Sequence, residues 1–155
     1  MSPELLVRIA AEVPACRYVK LEEPPTPTKI TAMRRLTGGD GVRIFGGMNA
    51  MYFYEELSRG AVGIMTGVAV PDLLVRIYTA FARGDRAGAA AIFDHHASYI
   101  RYEGQQGIGL ALRKEVLRLR GAIATGTVRQ PGPVLDDVTR RELGDILARL
   151  GILEG

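Results

Sequence analysis

Residues 42–67, VRIFGGMNAMYFYEELSRGAVGIMTG, decide the architecture. A β-branched and aromatic run from Val42 to Phe45 breaks at the pair Gly46-Gly47. A helical stretch then ends on Gly60, and a second short apolar run follows from Ala61 to Met65. Short apolar runs punctuated by glycine predict buried strands, and the helix between them predicts that the strands are parallel, because a crossover helix returns the chain to the same end of the sheet.

The same cycle extends outward in both directions. Upstream, RYVKLE (residues 17–22) alternates with period two and carries strand-forming Tyr18 and Val19, and TPTKITAMRRL (26–36) aligns Ile30, Met33 and Leu36 on one helical face before the glycines of TGGDG. The chain opens with SPELLVRIAAEV, where Ser2 is placed to cap a helix, Pro3 occupies its first turn and Pro14 ends it. Downstream, PDLLVRIYTAFARG predicts a helix ending at Gly84. Beyond Asp85 the pattern changes to three helices, at 85–103, 109–122 and 137–151, with the Gly/Pro-rich linker ATGTVRQPGP before the last. The expected layout is strand-helix units over residues 1–84 and a helical region over 85–155 packed on them in the same domain.

The bulk composition narrows the function. A chain of 155 residues with 47% hydrophobic and 24% charged side chains suits one globular domain. The net charge of +3 is spread over arginines interleaved with carboxylates, which argues against nucleic acid as a partner. No apolar run approaches the roughly 20 residues needed to cross a bilayer, and the amino terminus lacks a signal-peptide pattern, so no membrane partner and a cytoplasmic location are expected. The single cysteine, Cys16, allows no internal disulfide and is expected to be a small packed residue.

Few residues suggest chemistry. Only three of the 20 basic residues are lysines, and one of them, Lys20, lies within the first predicted strand. Alternation puts Tyr18, Lys20 and Glu22 on one face, with Val19 and Leu21 on the other. A lysine drawn out of water becomes a nucleophilic amine able to condense with a carbonyl, which arginine cannot do. The alternative is a strand-end lysine paired with Glu22 or Glu23. Gly46-Gly47 either lets backbone N–H groups approach a ligand or makes a tight strand-to-helix turn. Adjacent His95 and His96 point about 100° apart on a helix and suit packing rather than a metal. Glu55-Glu56 resembles solvated helix charge and Asp136-Asp137 a capping cluster. No phosphate loop or dinucleotide fingerprint is present, and no metal or cofactor is expected.

The lysine of YVKLE, the 42–89 segment VRIFGGMNAMYFYEELSRGAVGIMTGVAVPDLLVRIYTAFARGDRAGA, the stretch GIGLALRKEVLRLRG and the terminal VRQPGPVLDDVTRRELGDILARLGIL occur in an order that resembles the C-terminal half of the dihydrodipicolinate synthase/N-acetylneuraminate lyase family. The resemblance implies an α/β fold, a partial (β/α)8 TIM barrel of about three strands followed by helices. It also implies a Schiff-base lyase or aldolase acting on pyruvate or a related 2-oxo acid. Carried over by position, Lys20 matches the Schiff-base lysine, Gly47 a glycine beside the bound pyruvyl group, Val62 an apolar pocket residue, and Lys114 a structural lysine. The family's activating tyrosine and threonine pair lie on earlier strands and have no counterpart here. Leu21, Glu22, Glu23, Pro24 and Pro25 after the lysine depart from the acidic, small and glycine residues that many relatives carry. Three strands cannot close a barrel, so a homo-oligomer, a partner supplying the missing N-terminal half, or a fragment of a longer chain is expected. The alternative to an enzyme is a non-catalytic fragment or assembly module.

Overall fold

The computed structural model describes residues 1–153. Three parallel strands, β1 (Tyr18–Lys20), β2 (Arg43–Gly46) and β3 (Gly63–Ile64), form one sheet in the order β1-β2-β3. Around them, among the described residues, lie seven α-helices: α1 (Pro3–Glu12), α2 (Thr26–Leu36), α3 (Phe53–Ser58), α4 (Pro71–Ala82), α5 (Arg86–Glu103), α6 (Gly109–Leu119) and α7 (Asp137–Arg149). This is the strand-helix succession of a partial TIM barrel, followed by helices.

Local chemistry explains the boundaries. The Ser2 hydroxyl accepts the Leu5 N–H at 3.3 Å to start α1, and Asp85 and Asp136 accept the N–H groups of Gly88 and Thr139 at 2.8 and 2.7 Å to start α5 and α7. Each removes an orphan donor from a helix's first turn. Pro3, Pro27 and Pro71 sit in first turns, where proline's missing N–H does no harm.

The register rows the strands evenly: Tyr18 lies beside Arg43, Val19 beside Ile44, Lys20 beside Phe45, and Phe45 beside Gly63. Behind β1 and β2, α1 and α2 bury Leu6, Ile30 and Met33 against Leu21, Val42 and Ile44. A larger core joins α3 to α7, with Phe53, Ile77, Tyr99, Leu112, Leu143 and Leu147 nearly or wholly inaccessible. Phe53 is buried and Tyr54 seats its ring against Phe81 and Phe93, with centroids 5.9 and 6.4 Å apart, whereas Tyr52 is exposed.

Two sequence expectations need correction. Cys16 is exposed, because the 3-10 turn Pro14–Cys16 carries it away from the core. Glu56 is not solvated helix charge. Its position on α3 turns it inward beneath the sheet, where it is wholly buried and its Oε1 accepts the Thr26 hydroxyl at 2.6 Å. Burial raises its carboxyl to about 7, against the opposing Thr26 hydrogen bond.

Candidate functional site

In a parallel sheet the loops that leave the strands collect at one end, and in barrel folds that end carries the chemistry. Lys20 is the last residue of β1 and lies level with Phe45, one step before Gly46-Gly47. The Leu21 N–H donates to the Phe45 carbonyl at 2.8 Å, which continues the ladder past Lys20 and turns Leu21 into the core. Lys20 and Glu22 are therefore on the opposite, open face. The Lys20 side chain is 42% accessible.

Its amine pairs with Glu22 Oε2 at 3.0 Å. Glu23, the other carboxylate within reach by sequence, is occupied by Lys29 at 2.6 Å and by the Met1 amine at 3.0 Å; the Lys29 hydrogen bond, then that of the amine, hold its carboxyl down at about 2. The remaining oxygen of Glu22, Oε1, accepts the Met48 N–H at 3.3 Å. A Cβ on Gly47 would overlap the Glu22 side chain as it stands here, and one on Gly46 would overlap the buried Glu56 carboxylate. Gly47 has φ −150, so its requirement is steric rather than conformational.

The chain next makes an unusual turn. Met48, Asn49 and Ala50 have φ of 46, 54 and 64, three successive non-glycine residues in the left-handed region. Such backbone costs roughly 1–2 kcal/mol per residue and persists only where its surroundings impose it. Ala50 is fully buried, and its N–H donates to the Gly47 carbonyl at 2.8 Å. Asn49 uses both ends of its amide. Nδ2 donates to the Ile100 carbonyl at 3.0 Å, and Oδ1 accepts Arg113 Nη2 at 2.6 Å.

Arg113 Nε lies 3.4 Å from Oε1 of the inaccessible Glu103, and the same oxygen accepts the Ala69 N–H at 2.9 Å. Desolvation pushes the Glu103 carboxyl up to about 7, while the Ala69 N–H and, more weakly, the Arg113 charge oppose it. An unbroken series of polar contacts thus joins Lys20 to Glu22, to the 48–50 turn, to α6 through Arg113, to α5 through Glu103, and to the segment after β3 at Ala69.

Of the four residues singled out by resemblance, Lys20 and Gly47 meet at Glu22. Val62 does not join them. It precedes Gly63, the residue in Lys20's row, and is therefore out of phase with the lysine. It lines a groove of about 360 Å³ along β3 with Phe45, Phe53, Ile64 and Tyr78, whereas Lys20 borders a separate groove of about 330 Å³ with Leu6, Cys16 and Tyr18. Lys114 donates to the Thr127 carbonyl and ties α6 to the linker that follows. A further cleft of about 300 Å³ between α6 and that linker is lined by Glu115, but its carboxylate is engaged by Arg118 and Arg140 at 2.8 and 3.2 Å.

His96 is buried, with Nδ1 2.8 Å from the Ile92 carbonyl, and burial lowers its pKa. No group of three His, Cys, Asp or Glu residues able to hold a metal occurs among the described residues. No helix among them is long and apolar enough to cross a membrane. Sequence reasoning did not find Asn49, Arg113 or Glu103 as a unit. Their contacts span tens of residues, and the one local signal was the polar Asn49 directly after a strand's glycine pair.

No family model matches the chain. It is 34% identical over 151 residues to the L-2-keto-3-deoxyarabonate dehydratase of Azospirillum brasilense, covering 97% of this chain and 48% of that protein. A crystal structure of dihydrodipicolinate synthase from Rhodopseudomonas palustris superposes with a TM-score of 0.92 at 36% identity, covering 96% of this chain and 50% of that one. A putative dihydrodipicolinate synthetase from Pseudomonas aeruginosa superposes with a TM-score of 0.85 at 28% identity, over 97% of this chain and 51% of that one. The chain spans about half the length of these relatives. By sequence and by fold, the chain is similar to about half of each of these proteins.

Proposed function

We propose that this chain contributes the amine-bearing part of a Schiff-base lyase or aldolase acting on pyruvate or a related 2-oxo acid, and that a further half-site is needed for turnover. Lys20 is the nucleophile and the Gly47 backbone lies beside the substrate's carboxylate end; Val62, on the other face of its strand, takes no part in this site. The observation that carries this reading is the lysine at the C-terminal end of a parallel strand, level with the glycine-paired end of its neighbour. The 34% identity to a protein named as a 2-keto acid dehydratase supports the substrate class.

Reduction with borohydride in the presence of pyruvate, followed by peptide mass mapping, tests it. A reduced pyruvyl adduct on Lys20 is expected. Absence of any adduct, under conditions that label a full-length relative, overturns it. The 42% accessibility of Lys20 favours a second reading, in which the chain is a non-catalytic fragment or assembly module and Lys20 belongs to an ordinary surface pair. Cytoplasmic location and association of copies through the open sheet edges belong to the same proposal. Cell fractionation and size-exclusion chromatography test them.

A further inference from the structure

We propose that the cleft between α6 and the linker at 125–135 binds a small organic acid, with Arg118 and Arg140 holding its carboxylate and Val128 and Leu135 its apolar body. The inference is independent of the Schiff-base reading, since Arg118 lies on α6 and Arg140 on α7, outside the sheet end that carries Lys20.

One carboxylate and two guanidiniums set the charge of the cleft. Glu115 is buried on α6; its Oε2 and Oε1 accept Arg118 Nε and Nη2 at 2.9 and 2.8 Å, and Oε1 also lies 3.2 Å from Arg140 Nη1. The Arg118 hydrogen bonds hold its carboxyl below the ordinary value, so it stays ionised at neutral pH and balances only one of the two cations. One positive charge is left over. Glu115 also fixes where that charge sits: Arg118 keeps Nη1 for a further partner, and Arg140 keeps Nε and Nη2. A guanidinium presents its N–H groups as a planar fork that matches a carboxylate. The carboxylate of Glu115 is already engaged, so a ligand's ammonium would meet cations without a free acid, which disfavours an amino acid.

The linker supplies the remaining donors. The Thr127 N–H donates to Thr125 Oγ1 at 3.2 Å, and the two threonine hydroxyls share a hydrogen bond of 2.8 Å. Two hydroxyl protons serve one bond, so whichever way it runs one proton of the pair is left to donate to a ligand. Gly126 passes so close to α6 that a Cβ there would stand 2.9 Å from Glu115 Oε2, and Lys114 holds the same stretch through the Thr127 carbonyl. Val128 and the buried Leu135 add apolar wall. A cleft of about 300 Å³ is at the small end of ligand sites and suits a short aliphatic acid rather than a nucleotide.

The test is titration of the isotope-labelled full chain with isovalerate at neutral pH, followed by backbone amide NMR shifts. Isovalerate has a carboxylate and a branched apolar body but no ketone to condense with Lys20, so the result reads the cleft whether or not the Schiff-base reading survives. Saturable shifts at residues 125–135 are expected. Isovaleramide, which lacks the charge, and inorganic phosphate, which lacks the apolar body, are expected to bind more weakly. Arg140→Gln should weaken isovalerate roughly tenfold, the scale of losing hydrogen bonds to a charged group, while Arg118 keeps Glu115 paired. Circular dichroism checks folding. Should Arg140→Gln unfold, Val134→Glu at an exposed lining position takes its place, and is expected to weaken binding by putting a like charge beside the ligand. Shifts that fail to saturate, shifts confined to the surroundings of Lys20, equal binding of isovaleramide or phosphate, or unchanged binding in a folded Arg140→Gln or Val134→Glu chain each overturn the proposal.

Discussion

The apolar core behind β1 and β2 and the core among α3 to α7 are enclosed to different degrees. The first is a thin layer in which Leu6, Ile30 and Met33 cover one face of the strands, while the opposite face carries Tyr18 at 65% accessibility together with Lys20. The second is surrounded by helices, with Tyr99, Leu112, Leu143 and Leu147 inaccessible at its centre. Parallel sheets are ordinarily covered on both faces, and free edges are ordinarily paired or masked. The less enclosed region carries the candidate amine, and Asn49 ties the turn beside it to the better enclosed region through the Ile100 carbonyl and Arg113.

Core truncations should produce the largest effects. Leu143→Ala in the enclosed core is expected to cost about 2–5 kcal/mol, and Ile30→Ala in the thin layer to fall near the low end of that range, because a two-layer site collapses more readily around a cavity. Urea unfolding midpoints measure both. Equal losses would mean that the two cores are enclosed alike.

Acidity discriminates next. The Glu56 carboxyl lies at about 7 in the folded chain, against 4.5 ordinarily. The folded state then binds more protons than the unfolded one between those values, so stability is full below about 4.5 and declines as pH rises through 7. At about 1.4 kcal/mol per pH unit the decline approaches about 3 kcal/mol. Glu56→Gln should remove that part of the slope in unfolding titrations from pH 4.5 to 8. An unchanged slope would show that the carboxylate is tolerated beneath the sheet.

Gly46→Ala forces a methyl group into the Glu56 carboxylate, which Thr26 holds in place. Overpacking of this kind typically costs about 1–3 kcal/mol, and the double variant with Glu56→Ala should recover part of it. Simple additivity in the cycle would place the strain elsewhere. The smallest effect belongs to the exposed Arg8–Glu12 pair on α1, where 3.7 Å separates two solvated charges. Glu12→Ala should shift thermal unfolding by less than the equivalent of about 0.5 kcal/mol.

Much of this molecule follows from local pattern. Helical periodicity placed α1, α4, α5 and α7, with caps marking α1 and α7, alternation placed β1, and short apolar runs punctuated by glycine placed β2 and β3, because those signals act over a few residues and survive in any context. The start of the expected helix, residues 48–50, departed from its helical pattern. Its first turn is left-handed, since Asn49 is drawn to Ile100 and Arg113, partners whose positions depend on the packing of α5 and α6. Glu56 is a second case: on α3 it resembles its solvated neighbour Glu55, and only the sheet above and Thr26 beside it make it a buried acid.

The amino-acid order alone determined the strand-helix succession, the lysine's phase on its strand and the resemblance to a barrel family, since each depends on spacing along the chain. Tertiary structure alone decided which carboxylate meets that lysine, why both glycines cannot be larger, and how a strained turn is held in place. Those outcomes depend on side chains brought together from distant segments, whose separation in space no local spacing encodes.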